Sequence, residues 1–207
     1  MIDSDAFPCI CSLCGTKRKI EPLNKPCCSA QKKKEVSSAK QVFLHAALAY
    51  QTATWDVYVK SIVSEYYMVI SNPGNQAFLA MHSIAKSRME KAQEKLNTPN
   101  SENSRNFLME YTGYDPWGDW LGAGRVYGYT SILQIKNHLN EIFRLRHSFA
   151  HGFTMPTFHW NQSPNGTAQL NVEILRKTGI FFQKLIQGTD AGISQHIAVQ
   201  HGIGKPW

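Results

Sequence analysis

The chain has 207 residues, 43% of them apolar, with five tryptophans and a formal charge of +7, enough to bury one sizeable core with a small appendage. No run approaches the roughly 18 uncharged apolar residues of a membrane span, and no basic region leads into an apolar stretch at the start, so neither a span nor a signal peptide is expected and a cytoplasmic location is. The positive balance favours an anionic partner, and it is uneven: residues 1–40 hold Lys17, Arg18, Lys19, Lys25, Lys32, Lys33, Lys34 and Lys40 against Asp3, Asp5, Glu21 and Glu35.

All five cysteines, Cys9, Cys11, Cys14, Cys27 and Cys28, fall in the same segment. An odd number in a chain expected to be cytosolic argues against a disulfide framework. Cys11-Ser12-Leu13-Cys14-Gly15 has the two-residue gap and following glycine of a zinc knuckle, and Cys27-Cys28 returns after twelve residues. The second pair lacks its own gap, which makes Cys9 a further candidate. The expectation is a structural zinc held by four of the five; a reduced, metal-free segment and a redox role are the competing readings. Four thiolates leave no open position for water, so such a metal serves folding. Residues 1–36 are accordingly set apart as a Cys-rich basic segment.

From Ser37 or Ser38, Leu44, Leu48, Trp55, Val59, Ile62, Tyr66 and Val69 recur at steps of three, four and seven and predict a helix of about thirty residues, ended by Asn72-Pro73-Gly74-Asn75. A second helix is expected over Gln76 to Leu96, with Phe78, His82, Ala85 and Met89 on one side and His82 as a satisfied core histidine. After Asn97-Thr98-Pro99-Asn100 a short third helix covers Ser101 to Tyr111. Tyr114 to Gly124 reads as a loop pinned by Trp117 and Trp120, with base stacking by either as a weaker alternative; its glycines follow no strand and do not match a phosphate-binding fingerprint.

The fourth helix opens on Ser131-Ile132-Leu133-Gln134, the pattern of a capping box. Its apolar series is Ile132, Ile135, Leu139, Ile142 and Phe149, and the missing member is Arg146, so the stripe places a guanidinium where an aliphatic side chain is wanted. Gly152 suits the left-handed residue that stops a helix. Ser163-Pro164-Asn165-Gly166 predicts a small hairpin near 157–171. Asn171 then caps a last helix through Ile174, Leu175, Phe181, Phe182, Leu185 and Ile186, continuing past Gly188 and Gly192 to Ile193 and Ile197. The expected fold is an all-α bundle of four to five helices over residues 37–202, with a tail at 203–207.

Chemistry concentrates at the end of the fourth helix, in Arg144-Leu145-Arg146-His147-Ser148-Phe149-Ala150-His151-Gly152. Arg146 and His151 lie about 140° apart around the helix, and Arg144 and His151 about 20° apart. A cationic imidazole in the last turn is favoured by the helix dipole, so both residues are also explained as partners of the terminal carbonyls. Arg146-His147-Ser148-Phe149-Ala150-His151 resembles the signature of the HEPN superfamily: an arginine, then Asn, Asp or His, three further residues and a histidine. The trailing Gly152 is similar to members of its RiboL-PSP-associated branch. The likeness covers this motif and, more loosely, residues 38–200.

That resemblance implies a metal-independent endoribonuclease built as a four-to-five-helix HEPN-like bundle, a homodimer with both motifs facing one cleft. Attack of the RNA 2′-hydroxyl on the adjacent phosphate needs a base, an acid for the leaving 5′-oxygen and a cation for the phosphorane. His151 suits the proton transfers and Arg146 the phosphate oxygens. His147 takes the polar position of the motif, orienting the site or sharing proton transfer. Arg144 is assigned to substrate contact, since its gap of six residues to His151 is tolerated by the superfamily but Leu145 is the wrong following residue. Lys17, Arg18 and Lys19 are candidate strand contacts. A catalytic cofactor is not expected. Partners expected are RNA, a second copy and a cognate antitoxin or regulatory protein, and the biological role is a toxin or antiviral defence effector. The alternative is a non-catalytic HEPN-like module that binds nucleotide or nucleic acid or serves as a dimerising partner. A zinc-dependent DNA-binding regulator is a weaker third reading, since no recognition-helix pattern accompanies the cysteines.

Overall fold

The computed structural model describes residues 39–71, 74–152, 154–204 and 206 in full, and residues 9–10, 17–18 and 28–38 by their backbone alone. The chain divides into two compact units, Met1–Phe43 and Leu44–Trp207. In the first, Cys9–Ile10 pairs antiparallel with Lys17–Arg18. The expected zinc site at Cys9, Cys11, Cys14, Cys27 and Cys28, and the strand contacts Lys17, Arg18 and Lys19, lie outside the residues whose side chains are described.

The described residues include six α-helices: α1 (Cys28–Val69), α2 (Gln76–Lys95), α3 (Ser101–Thr112), α4 (Trp117–Gly124), α5 (Ile132–Ala150) and α6 (Val172–His201). None of them is long and apolar enough to cross a membrane. The all-α expectation therefore holds for the second unit. The first helix is longer than its apolar pattern predicts: 42 residues, beginning at Cys28 rather than Ser37 or Ser38. Periodicity locates the stretch that a core needs, and a helix continues beyond it wherever no proline or glycine stops it; residues 28–38 contain neither.

Leu44, Leu48, Trp55, Val59, Ile62 and Tyr66 of the predicted α1 stripe are buried. Trp55 is the hub. Its ring centroid lies 5.7 Å from that of Trp120 and 5.8 Å from that of Phe182, and its Nε1 donates to the Pro99 carbonyl at 3.0 Å. A tryptophan buried with its N–H satisfied in this way contributes its full apolar area to the core. His82 is half-buried with Nε2 2.8 Å from the Tyr67 carbonyl, the satisfied histidine that its stripe predicts.

The segment read as a loop, Tyr114 to Gly124, instead holds α4. Its glycines lower helix propensity, and tertiary packing overrides them. Trp120 is fully buried and donates to Thr189 Oγ1 at 2.8 Å. α6 accepts α4 at unusually short range through two glycines: a Cβ on Gly188 would sit 2.7 Å from the Asp119 carbonyl oxygen, and one on Gly192 would collide with Tyr114 Oη and Asp119 Oδ2. Gly188, weak in an isolated helix, lets the backbone of α4 reach α6, and Gly192 makes room for the side chains of Tyr114 and Asp119. α6 nevertheless runs unbroken for 30 residues from its cap at Asn171.

At the predicted hairpin, Gly166 has φ of +77° and Ser163 N–H donates to the Thr167 carbonyl at 2.9 Å. The flanks form a single antiparallel bridge, Gln162 to Ala168, rather than a ladder. Trp160 anchors the segment, its Nε1 donating to Glu141 Oε2 of α5 at 2.8 Å.

Candidate active site

α5 is capped as its sequence predicts. Gln134 N–H donates to Ser131 Oγ at 3.3 Å, and the Gln134 side chain accepts from Ser131 N–H at 3.1 Å. The helix therefore starts at a fixed residue, and its rotation decides which side chains face out at the far end. Its buried face is Ile135, His138, Leu139, Ile142, Phe143, Leu145 and Ser148. The contact expected at 146 is made one residue earlier: Leu145 is 0% exposed, and Arg146 is exposed. No buried guanidinium has to be neutralised.

The polar side of α5 carries Asn140, Arg144, His147 and His151 at steps of four, three and four, all within about 60° of helix rotation. His151 is the C-cap and Gly152 follows with φ of +66°, the left-handed stop expected of it. The His147 and His151 rings lie 4.2 Å apart between centroids, tilted by 46°. Phe149, on the opposite side, stacks on His45 of α1 at 3.6 Å and 11° and clamps the last turn of α5 to the bundle. Burial holds the His45 imidazole below its ordinary titration range. Ser148 Oγ donates to the Leu145 carbonyl at 2.7 Å.

Beside this face opens a cleft of about 520 Å³. α5 contributes Asn140, Phe143, Arg144, His147 and Ser148, the start of α3 contributes Asn100 and Glu102 with Thr98 before them, and Thr154 and Pro156 close the third side. The α3 wall is fixed to α5 by two contacts. Asn140 Oδ1 accepts from Ser101 N–H at 3.0 Å and from Ser101 Oγ at 2.8 Å, and Lys136 forms an ion pair with Glu102. The hydrogen bond from Lys136 holds the Glu102 carboxyl below its usual range, so this lining residue is an anion already matched by a cation.

The predicted site residues thus separate. Arg144 and His147 share the cleft, and His151 stands against His147. Arg146 is exposed about 140° away from His151 around the helix and is not among the lining residues. Neither arginine makes an ion pair or a side-chain hydrogen bond among the described residues, so both guanidiniums are available to a ligand. Thr98, Asn100, Glu102 and Asn140 were not singled out by the sequence; the signal available for Asn140 was its place in the 4-3-4 polar spacing with Arg144, His147 and His151. No group of three or more His, Cys, Asp or Glu that could hold a metal occurs among the described residues.

Chemically, the face offers an uncommitted cation with planar, bidentate geometry and two adjacent imidazoles next to a cleft of small-ligand size, where such sites span about 300–1,000 Å³. That set suits a phosphate ester and proton transfer to and from its oxygens. No family model, curated protein or solved structure matches the chain.

Proposed function

We propose that the chain is an endoribonuclease that cleaves RNA without a catalytic metal, by attack of a 2′-hydroxyl on the neighbouring phosphate at the C-terminal end of α5. The observation that carries this reading is the pair of imidazoles of His147 and His151, 4.2 Å apart, with Arg144 on the same cleft as His147. The resemblance of Arg146 to His151 to the HEPN signature points the same way, and with it come the homodimer, the antitoxin or regulatory partner, and the role as a toxin or defence effector.

In the step proposed, a neutral imidazole takes the 2′-hydroxyl proton as the 2′-oxygen bonds to phosphorus. The bond from phosphorus to the 5′-oxygen breaks, and the departing oxygen takes a proton from an imidazolium. The guanidinium neutralises the non-bridging oxygens, where charge accumulates in the crowded phosphorane. The products are a 2′,3′-cyclic phosphate and a 5′-hydroxyl, and the two imidazoles have exchanged protonation states.

Cleavage of a labelled single-stranded RNA by the purified protein tests the proposal. His151→Ala is expected to lower the rate by about 10²–10⁴-fold, with cyclic-phosphate ends on the wild-type products. Undiminished cleavage by His151→Ala refutes it. RNA binding without cleavage by the wild type leaves the non-catalytic module as the better description.

A further inference from the structure

Resting on the ribonuclease reading, we infer that one chain holds every group that the chemical step needs. Arg144 binds the scissile phosphate, His147 and His151 of the same chain move the protons, and the adjoining cleft seats one nucleotide of the RNA.

Three observations lead here. First, Arg144, His147 and His151 lie on one side of α5, whereas Arg146, the arginine that the sequence motif selects, is turned away from them. Second, Arg144 lines the 520 Å³ cleft together with His147, so a phosphate held by its guanidinium lies at the mouth of a space of small-ligand size. Thr98 and Asn100 also line the cleft; Asn100 Oδ1 is taken up in capping α3, accepting from Asn103 N–H at 2.9 Å, which leaves its NH2 group to suit a sugar or a base edge. Third, the two imidazoles are centred 4.2 Å apart. Two adjacent imidazoles supply the base and the acid that the step needs, one for the 2′-oxygen and one for the 5′-oxygen.

A second copy then supplies no reacting group. This differs from a composite site, in which the arginine of one chain meets the histidine of the other. The two arrangements separate by complementation. Arg144→Ala and His151→Ala chains carrying different tags are co-expressed, purified through both tags in turn and through each alone, and assayed on a single-stranded RNA oligonucleotide, with circular dichroism verifying that each variant folds. Each variant alone is expected to lose about 10²–10⁴-fold, and Arg146→Ala to stay within about tenfold of wild type, as for loss of one exposed charge contact.

Co-expressed Arg144→Ala and His151→Ala chains are expected to remain as inactive as either alone, because every site still carries one defect. A chain bearing both substitutions leaves a co-expressed wild-type chain its own activity. Recovery of activity in the mixed pair, or an Arg146→Ala loss as deep as that of Arg144→Ala, overturns the single-chain site while leaving the ribonuclease reading standing. Absence of cleavage by the wild type sinks both.

Discussion

His138 makes the stability of the second unit depend on pH in a calculable way. It is 1% exposed on α5, boxed by the rings of Tyr127 at 4.0 Å, Phe181 at 4.8 Å, Trp160 at 4.9 Å and Tyr129 at 5.3 Å. Its Nδ1 is 3.2 Å from Tyr129 Oη, and its Nε2 has no hydrogen-bond partner among the described residues. The nearest carboxylate on the same helix, Glu141, is engaged by Trp160 Nε1. Burial without an anionic partner pushes the imidazole down from 6.5 to about 3. Since the folded value lies below the unfolded one, the unfolded chain takes up a proton first. The contribution is therefore complete above the unfolded value and is lost as the pH falls from about 6.5 toward about 3.

That shift corresponds to at most about 5 kcal/mol in full, of which about 2 kcal/mol is lost between pH 7.5 and pH 5. Carboxylates such as Glu102 and Asp115, held below their usual range by Lys136 and Arg105, act at lower pH. His45 and His201 are also lowered by burial, so they supply a background slope in the same window. Urea unfolding at pH 7.5, 6 and 5 isolates the His138 share when wild type is compared with His138→Phe and His138→Leu. The variants are expected to lose about 2 kcal/mol less over this range, whatever their absolute stability. Variants as steep as the wild type would show that His138 takes up its proton alike in both states.

Other consequences follow from the packing. Gly192→Ala forces a methyl against Tyr114 and Asp119 and is expected to cost about 1–3 kcal/mol in chemical denaturation, whereas Gly118→Ala, with nothing within 4 Å of the new carbon, costs none of this. Ser131→Ala removes the capping box of α5 and is expected to cost about 1 kcal/mol, read as a shifted urea midpoint with unchanged slope. Asn140→Ala strips Ser101 of its bonds to α5. It is expected to cost about 1–3 kcal/mol and to weaken RNA binding by opening the wall of the cleft, measured by fluorescence anisotropy with an uncleaved deoxy-substituted oligonucleotide.

How far the sequence discloses this molecule depends on whether a feature is periodic or tertiary. The α1 stripe, the Ser131 cap, the Gly152 stop and the Asn171 cap are local, and each stands in the structure where its residues imply. α4 was hidden because a stretch with three glycines and two tryptophans has the composition of a loop. What makes it a helix is Trp120 meeting Thr189 and Gly188 and Gly192 leaving room, partners some seventy residues away. The cleft is hidden for the same reason, since a polar 4-3-4 spacing is equally the mark of a solvated face until α3 and residues 154–156 are brought beside it.

The two arginines show where a motif and a helix answer different questions. A motif counts residues, and counting from His151 selects Arg146. A helix turns about 100° per residue, and turning from His151 selects Arg144, which comes within about 20° of it. The apolar series could not decide between them, because a step of three or of four from Ile142 keeps the stripe inward; it is the burial of Leu145 that takes the core contact and leaves Arg146 outside. If the motif's register governs the chemistry, Arg146 must meet a histidine from another chain, since its own His151 lies round the helix from it. If the helix governs, Arg144 acts beside its own His147 and His151, and the resemblance to a ribonuclease signature rests on the histidine more than on the arginine it is read with.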